Sequence, residues 1–324
     1  MRKGRPDGLP AAADRVILPA FSKGASQTPK GLAMTHADPL VSTAWLAEHL
    51  DAPDVRVVDG SWHMPAAQRD PKAEYDRAHI PGAVFFDIDD IADETSDLPH
   101  MLPSPIKFAS RVKKLGLGDG SRIVVYDTSG ILPAARVWWE FRAMGHEDVV
   151  VLDGGLPKWI AEGRPVDDLA VTPQERHFTP RYQADIVRSL DQMKRNLERA
   201  PEDRGREQVI DARAAGRFEG RDPEPRAGLR GGHIPGSRNV PLSALLAPDG
   251  TLLPADKLEA VFEAAGVDID RPVAATCGSG ITASVVALAL ARLGRPRAAV
   301  YDGSWTEWGG RDDVPVATGT AAAV

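Results

Sequence analysis

Val209-Ile210-Asp211, then His233-Ile234-Pro235-Gly236-Ser237, then Asn239-Val240 repeats in order a series from the first half of the chain. The earlier series is Val55-Arg56-Val57-Val58-Asp59, His79-Ile80-Pro81-Gly82-Ala83 and Val84–Asp87. Each begins with an apolar run short enough for a buried strand, passes through a Pro-Gly turn and enters a second short run. The correspondence then continues. Each half next has an apolar strand (Ile123–Tyr126, Val273–Thr276), a Gly-containing turn, a helix ended by Gly145 or Gly294, and a last strand. That strand runs into Asp153-Gly154-Gly155 or Asp302-Gly303-Ser304, and Trp159 and Trp308 close the two units. Strands alternating with helices predict an α/β fold of two domains, each a mostly parallel sheet flanked by helices on both faces. Functional groups are expected beyond the carboxyl ends of the strands.

A chain of 324 residues suits two domains of about 150 residues each. The expected organisation is an arm over 1–36, a first domain over 37–163, a linker over 164–184, a second domain over 185–316 and a tail over 317–324. The arm reads as disordered, or as lying ahead of a true start at Met34; Val16-Ile17-Leu18 is too short for a signal-peptide core. A net charge of −7 gives no general attraction to nucleic acid or to an anionic membrane. No apolar run approaches the ~18 residues that span a bilayer. The chain reads as a soluble cytoplasmic protein, acting as a monomer.

Cys277 is the only cysteine, so no internal disulfide or resolving cysteine exists. It opens Cys277-Gly278-Ser279-Gly280-Ile281-Thr282 at a strand-to-helix turn, where glycines let backbone N–H groups converge and the helix N-terminus adds positive potential. Such a cradle favours an anion, a thiolate or a persulfide. A buried structural cysteine is the plainer reading, but packing alone does not account for two glycines and a serine at this turn.

The paired HIPG turns, the six-residue cysteine loop, and Asp127 where the first half would carry a cysteine together resemble the tandem-domain rhodaneses over about residues 40–315. Within that family the similarity is greatest to its 3-mercaptopyruvate sulfurtransferase branch. The resemblance implies two rhodanese-like domains, the second catalytic. It also implies a Cys277 persulfide that takes sulfur from a small-molecule donor and passes it to a thiol, such as a reduced thioredoxin-like protein, or to cyanide. A phosphatase of this architecture needs a loop one residue longer, ending in arginine, and position 283 is Ala. Thiosulfate-using relatives carry basic residues after the cysteine; neutral Gly278 and Ser279 suit a mono-carboxylate thiol instead. A thiosulfate:cyanide sulfurtransferase and a non-catalytic sulfur carrier or persulfide-sensing protein are the alternatives.

The resemblance further assigns Arg217 and Arg226 to the donor's carboxylate and carbonyl oxygens, a role for which a planar guanidinium fork is suited. Arg213, Arg221 and Arg230 lie near, so an arginine-rich solvated loop is the competing reading. It also suggests a proton relay of Ser279, His79 and Asp70. Against this, His233 fills the matching turn of the second half, which points to a turn-stabilising role for both histidines, and Asp70 sits in the charged run Arg69-Asp70-Pro71-Lys72. Asp127 reads as a helix cap, and Trp138-Trp139 as core or domain interface. The eight histidines form no H-x3-H or HExxH spacing, and Gly116-Leu117-Gly118-Asp119-Gly120 precedes a strand instead of following one. No metal site and no cofactor are expected.

Overall fold

The computed structural model describes residues 38–320. The expected arm over 1–36 lies outside them, as does the end of the tail. The first half runs β1 (Leu40–Val41), α1 (Thr43–His49), β2 (Val55–Asp59), α2 (Pro71–Arg77), β3 (Val84–Phe85), α3 (Pro105–Lys114), β4 (Arg122–Tyr126), α4 (Leu132–Ala143), β5 (Val149–Leu152) and α5 (Gly155–Ala161). The second half runs β6 (Val187–Arg188), α6 (Leu190–Glu198), β7 (Gln208–Asp211), α7 (Ala215–Phe218), β8 (Arg238–Asn239), α8 (Ala255–Ala264), β9 (Val273–Thr276), α9 (Ala283–Arg292), β10 (Ala299–Tyr301) and α10 (Ser304–Trp308). Strand and helix alternate identically in both.

The sheets have the same strand order, β1-β5-β4-β2-β3 and β6-β10-β9-β7-β8, and every pairing within them is parallel. Register matches too: Asp59 pairs with Tyr126, and Asp211 with Thr276. Strands β4, β5, β9 and β10 are almost wholly buried, as parallel strands covered on two faces must be.

The halves share one core. Helices α4 and α9 pack against each other, and α9 buries every residue from Ala283 to Ala291. The largest apolar cluster accordingly runs through both halves, from Trp138, Trp139 and Phe141 to Val285 and Leu288. The Trp139 indole N–H donates to the Ile186 carbonyl at 3.2 Å, next to β6, so the tryptophan pair is interface as well as core.

Residues 164–184, expected as a linker, lie along the first half. Asp167 pairs with His79 through two backbone hydrogen bonds, Arg181 N–H donates to Met144 O, and Phe178 is buried among Phe108, Phe141 and His146. The segment is a strap, because the HIPG turn, the ends of α3 and α4 and an aromatic pocket supply partners for its backbone and ring.

The same economy explains the HIPG histidines. His79 Nδ1 lies 2.8 Å from Tyr75 O and its ring stacks on Tyr75; His233 Nδ1 lies 2.8 Å from Phe218 O and its ring stacks on Phe218. Each also bridges to the chain that follows its half's last helix, at Asp167 and Ala317.

Candidate active site

Cys277 follows directly on β9 and is 2 % exposed. Its own N–H donates to Ser304 Oγ at 3.2 Å, and that hydroxyl donates to Tyr301 O at 2.8 Å. Ser304 is held at φ +48 to do this, a conformation costly for a residue with a side chain. The loop is anchored from behind: Trp305 N–H donates to Cys277 O at 2.9 Å, and the Thr306 N–H and hydroxyl both donate to Gly278 O. Gly280, at φ +84, makes the bend that starts α9. Among the described residues, no protein acceptor takes the N–H groups of Gly278 through Thr282. They remain available to an anion at the cysteine, together with the positive end of α9.

The first half shows what such a loop binds. Asp127 follows β4 as Cys277 follows β9, and Leu156 N–H donates to its carbonyl as Trp305 N–H does to that of Cys277. Its carboxylate folds back into its own loop, accepting from Ser129 N–H at 2.6 Å and Ala134 N–H at 2.9 Å. The expected helix cap is thus what Asp127 is. Burial pushes this carboxyl up to about 6, while those two hydrogen bonds hold it down.

Both sequence-predicted arginines stand over the cysteine loop. A Cβ built on Gly278 would lie 3.4 Å from Arg217 Nη2 and 3.8 Å from Arg226 Nη1, and Arg226 Nη2 is 3.5 Å from Ser279 Oγ. Arg217 lies in the last turn of the short helix α7 and donates through Nη2 to Glu224 Oε2 at 2.5 Å. Glu224 also accepts from Arg213 at 2.7 Å, and Arg213 is locked on Asp211 at 2.6 Å and over the Trp305 ring at 4.1 Å. The loop is therefore no solvated arginine run. Arg213 is structural, Arg230 bonds the carbonyls of Trp308, Gly309 and Val314, and Arg221 pairs with Glu219 at the surface. Counting Asp211, Arg213, Glu224, Arg217 and Arg226, one positive charge is left over beside Cys277. Burial lowers the Arg226 guanidinium from its ordinary value, while the Cys277 charge pulls the other way.

These residues border a cavity of about 530 Å³. Cys277, Gly278, Ser279, Ile281, Thr282, Arg217 and Arg226 form one side; Trp62, His63, Met64, Leu132 and Pro133 from the first half form the other.

His79 and Asp70 are not among the lining residues, and the expected relay with Ser279 is not assembled. His79 is 1 % exposed, with Nδ1 bonded to Tyr75 O and Nε2 buried 3.2 Å from Asp167 Oδ1, without a hydrogen bond to it. Asp70 caps α2, accepting from Ala73 N–H at 3.0 Å. The turn that makes HIPG recognisable buries its histidine, and an aspartate before Pro71 is consumed by the helix it starts.

Sequence reasoning passed over three groups here. Arg136, buried in α4, donates to Asp302 Oδ1 and to Glu140 Oε1, each at 2.7 Å, and also to the His100 carbonyl. Its Nη1 lies beneath Gly280, where a Cβ would come within 2.7 Å. An arginine in the apolar run Ala134-Ala135-Arg136-Val137-Trp138 was the available signal, since buried charge demands a partner. Second, His100 Nδ1 lies 2.7 Å from Asp89 Oδ1; the pair packs edge-on against Trp62, whose indole N–H donates to Asp89 at 2.9 Å. His100 holds φ +60, and its bond keeps the Asp89 carboxyl below its usual range. Third, His63 lines the cavity itself.

The Rhodanese-like domain profile matches this chain twice, over residues 42–162 and 189–311. The mitochondrial thiosulfate/3-mercaptopyruvate sulfurtransferase 1 of Arabidopsis thaliana is 43% identical over 301 residues, 86% of this chain and 78% of that protein. The thiosulfate sulfurtransferase of Bos taurus is 43% identical over 276 residues, 83% of this chain and 91% of that one. Among solved structures, SseA from Escherichia coli, described as having the rhodanese fold of 3-mercaptopyruvate sulfotransferases, superposes with a TM-score of 0.75. It shares 40% identity, over 83% of this chain and 99% of its own.

Proposed function

The chain belongs to the rhodanese family, and from that membership we propose that it is a sulfurtransferase moving sulfur from 3-mercaptopyruvate, through a persulfide on Cys277, to a thiol or cyanide. The observation that carries this reading is the meeting of two guanidinium groups at Gly278, in the same cavity as Cys277. A 2-oxo acid thiol needs charge for its carboxylate at one end and a sulfur nucleophile at the other, both facing one cavity.

Arg217, braced by Glu224, and Arg226 take the carboxylate and carbonyl oxygens. The Cys277 thiolate attacks the donor sulfur, the carbon–sulfur bond breaks, and its electron pair leaves on the pyruvate enolate. The proton that was on the donor thiol ends on the methylene carbon, with the Ser279 hydroxyl placed beside Arg226 to pass it. Pyruvate and a Cys277 persulfide anion result, with charge unchanged across the step. The free N–H groups of Gly278 through Thr282 hold that anion as the loop amides of the first half hold the Asp127 carboxylate. With one cysteine in the chain, a second substrate collects the sulfur, giving a ping-pong course. A reduced thioredoxin-like protein is a suitable thiol.

No described helix is long and apolar enough to cross a membrane. The reading sets the reaction in the cytoplasm, where a lone active thiol stays reduced.

Thiosulfate is the second reading, favoured by the bovine relative, and the donor comparison decides between them. The kcat/KM for 3-mercaptopyruvate is expected to exceed that for thiosulfate, and Cys277→Ser to lose pyruvate formation while keeping its circular dichroism. The reverse ratio assigns the thiosulfate reaction. Persulfide formation in the serine variant overturns both, and a single stoichiometric transfer without turnover makes the protein a carrier.

A further inference from the structure

We infer that His63 is the general base that takes the proton of the acceptor thiol in the second half-reaction. The assignment rests on the sulfurtransferase reading above and concerns its other substrate.

The cavity has a charged side and an apolar side. Arg217 and Arg226 stand with the cysteine loop; Trp62, Met64, Leu132 and Pro133 come from the first half. Its volume, about 530 Å³, exceeds what a small 2-oxo acid fills, so room remains on the apolar side for a second molecule to approach the outer sulfur. A neutral thiol arriving there must lose its proton to be a nucleophile. His63 is the one imidazole among the lining residues, and imidazole is the side chain suited to take and release a proton at physiological pH.

The surroundings of His63 arm it for this work. Nε2 lies 3.0 Å from Glu74 Oε2 and 3.5 Å from Thr128 Oγ1. Arg69 grips Glu74 with two hydrogen bonds of 2.7 Å, which hold the Glu74 carboxyl below its usual range. An ionised carboxylate only accepts, so the ring proton of neutral His63 sits on Nε2. The basic lone pair is then on Nδ1, which has no partner among the described residues. Glu74 orients the ring and stabilises the imidazolium, as the carboxylate does in other His–carboxylate pairs. The charged groups around the ring are Glu74 and Arg69 on its own wall and Arg217 and Arg226 across the cavity.

The step balances. His63 Nδ1 takes the proton from the acceptor R–SH, and R–S⁻ attacks the outer sulfur of the Cys277 persulfide. The new S–S bond forms as the Cys277 Sγ–S bond breaks, releasing the Cys277 thiolate and R–S–S⁻. The proton then leaves His63 to solvent.

The test separates the half-reactions. The full chain is loaded with 3-mercaptopyruvate, the gain of one sulfur atom on Cys277 is checked by intact mass, and discharge is followed with 2-mercaptoethanol or with sulfite. Sulfite at about pH 8 has no proton to lose, so His63→Gln is expected to cut thiol discharge by about 10²-fold and leave sulfite discharge within about twofold. Added imidazole is expected to restore thiol discharge to His63→Ala. Equal losses with both acceptors, or an unchanged thiol rate, overturn the assignment. A wild-type protein that gains no sulfur overturns the sulfurtransferase reading and this inference with it, the failure then lying in the donor step.

Discussion

Arg136, from the first half, and Asp302, from the second, meet at 2.7 Å in full burial, directly beneath the Gly280 bend of the cysteine loop. The ion pair joins the halves directly under the loop that carries Cys277. Asp302 Oδ2 also accepts from Leu102 N–H at 2.7 Å, so one carboxylate ties the His100 segment, α4 and the end of β10 together.

Removing one partner strands the other charge in the core. Arg136→Leu is expected to lower stability by about 3–5 kcal/mol, measured by urea denaturation. Arg136→Leu combined with Asp302→Asn should recover part of that loss. A single variant as stable as the wild type would mean that water reaches the site and the pair does not join the halves.

The carboxylate clamp predicts a kinetic signature. Arg217→Leu and Arg226→Leu are each expected to cost about 2–4 kcal/mol in kcat/KM for 3-mercaptopyruvate, since each removes a charge-assisted partner from a half-buried site. Glu224→Gln, which touches no donor in this scheme, should raise KM more than it lowers kcat, because Arg217 loses its brace. Steady-state pyruvate release measures all three, and unchanged values in both arginine variants would return the donor to another site.

His79 separates turn from relay. His79→Asn is expected to lower the thermal midpoint, through loss of the ring stacked on Tyr75, while kcat for the folded enzyme stays within about twofold. A fall in kcat of about 10²-fold with the midpoint unchanged would restore the relay that the structure does not assemble.

Asp127 carries a pH dependence of defined sign. Its folded pKa, about 6, lies above the unfolded value, so the native state binds more protons between the two. The stability it contributes is present in acid and is lost as pH rises toward 6, by at most about 1.4 kcal/mol per pH unit. The stability difference between wild type and Asp127→Asn should therefore fall across that window and level off above it. A flat difference from acid to neutral pH would show an ordinary carboxylate at this position.

The duplicated order of strands, turns and helices was legible in the sequence because it rests on local signals. Apolar runs such as Val273–Thr276, the Pro-Gly turns and glycines such as Gly294 each act within a few residues. Cys277 and its loop were legible for the same reason: cysteine, glycines and helix start are contiguous. The arginines lay between, visible as a cluster, but which two stand over the cysteine loop depended on Glu224 and Asp211 fastening Arg213 elsewhere. Tertiary structure alone decided which histidines border the cavity. His79 has the conspicuous motif and is buried by it, whereas His63 and His100 stand in unremarked loops and reach the cavity or its wall only because α4 packs on α9. A site built across the junction of two domains is made by contacts between residues such as Arg136 and Asp302, 166 positions apart. No short-range pattern encodes that separation, because the burial that makes those charges seek each other exists only once both sheets have formed.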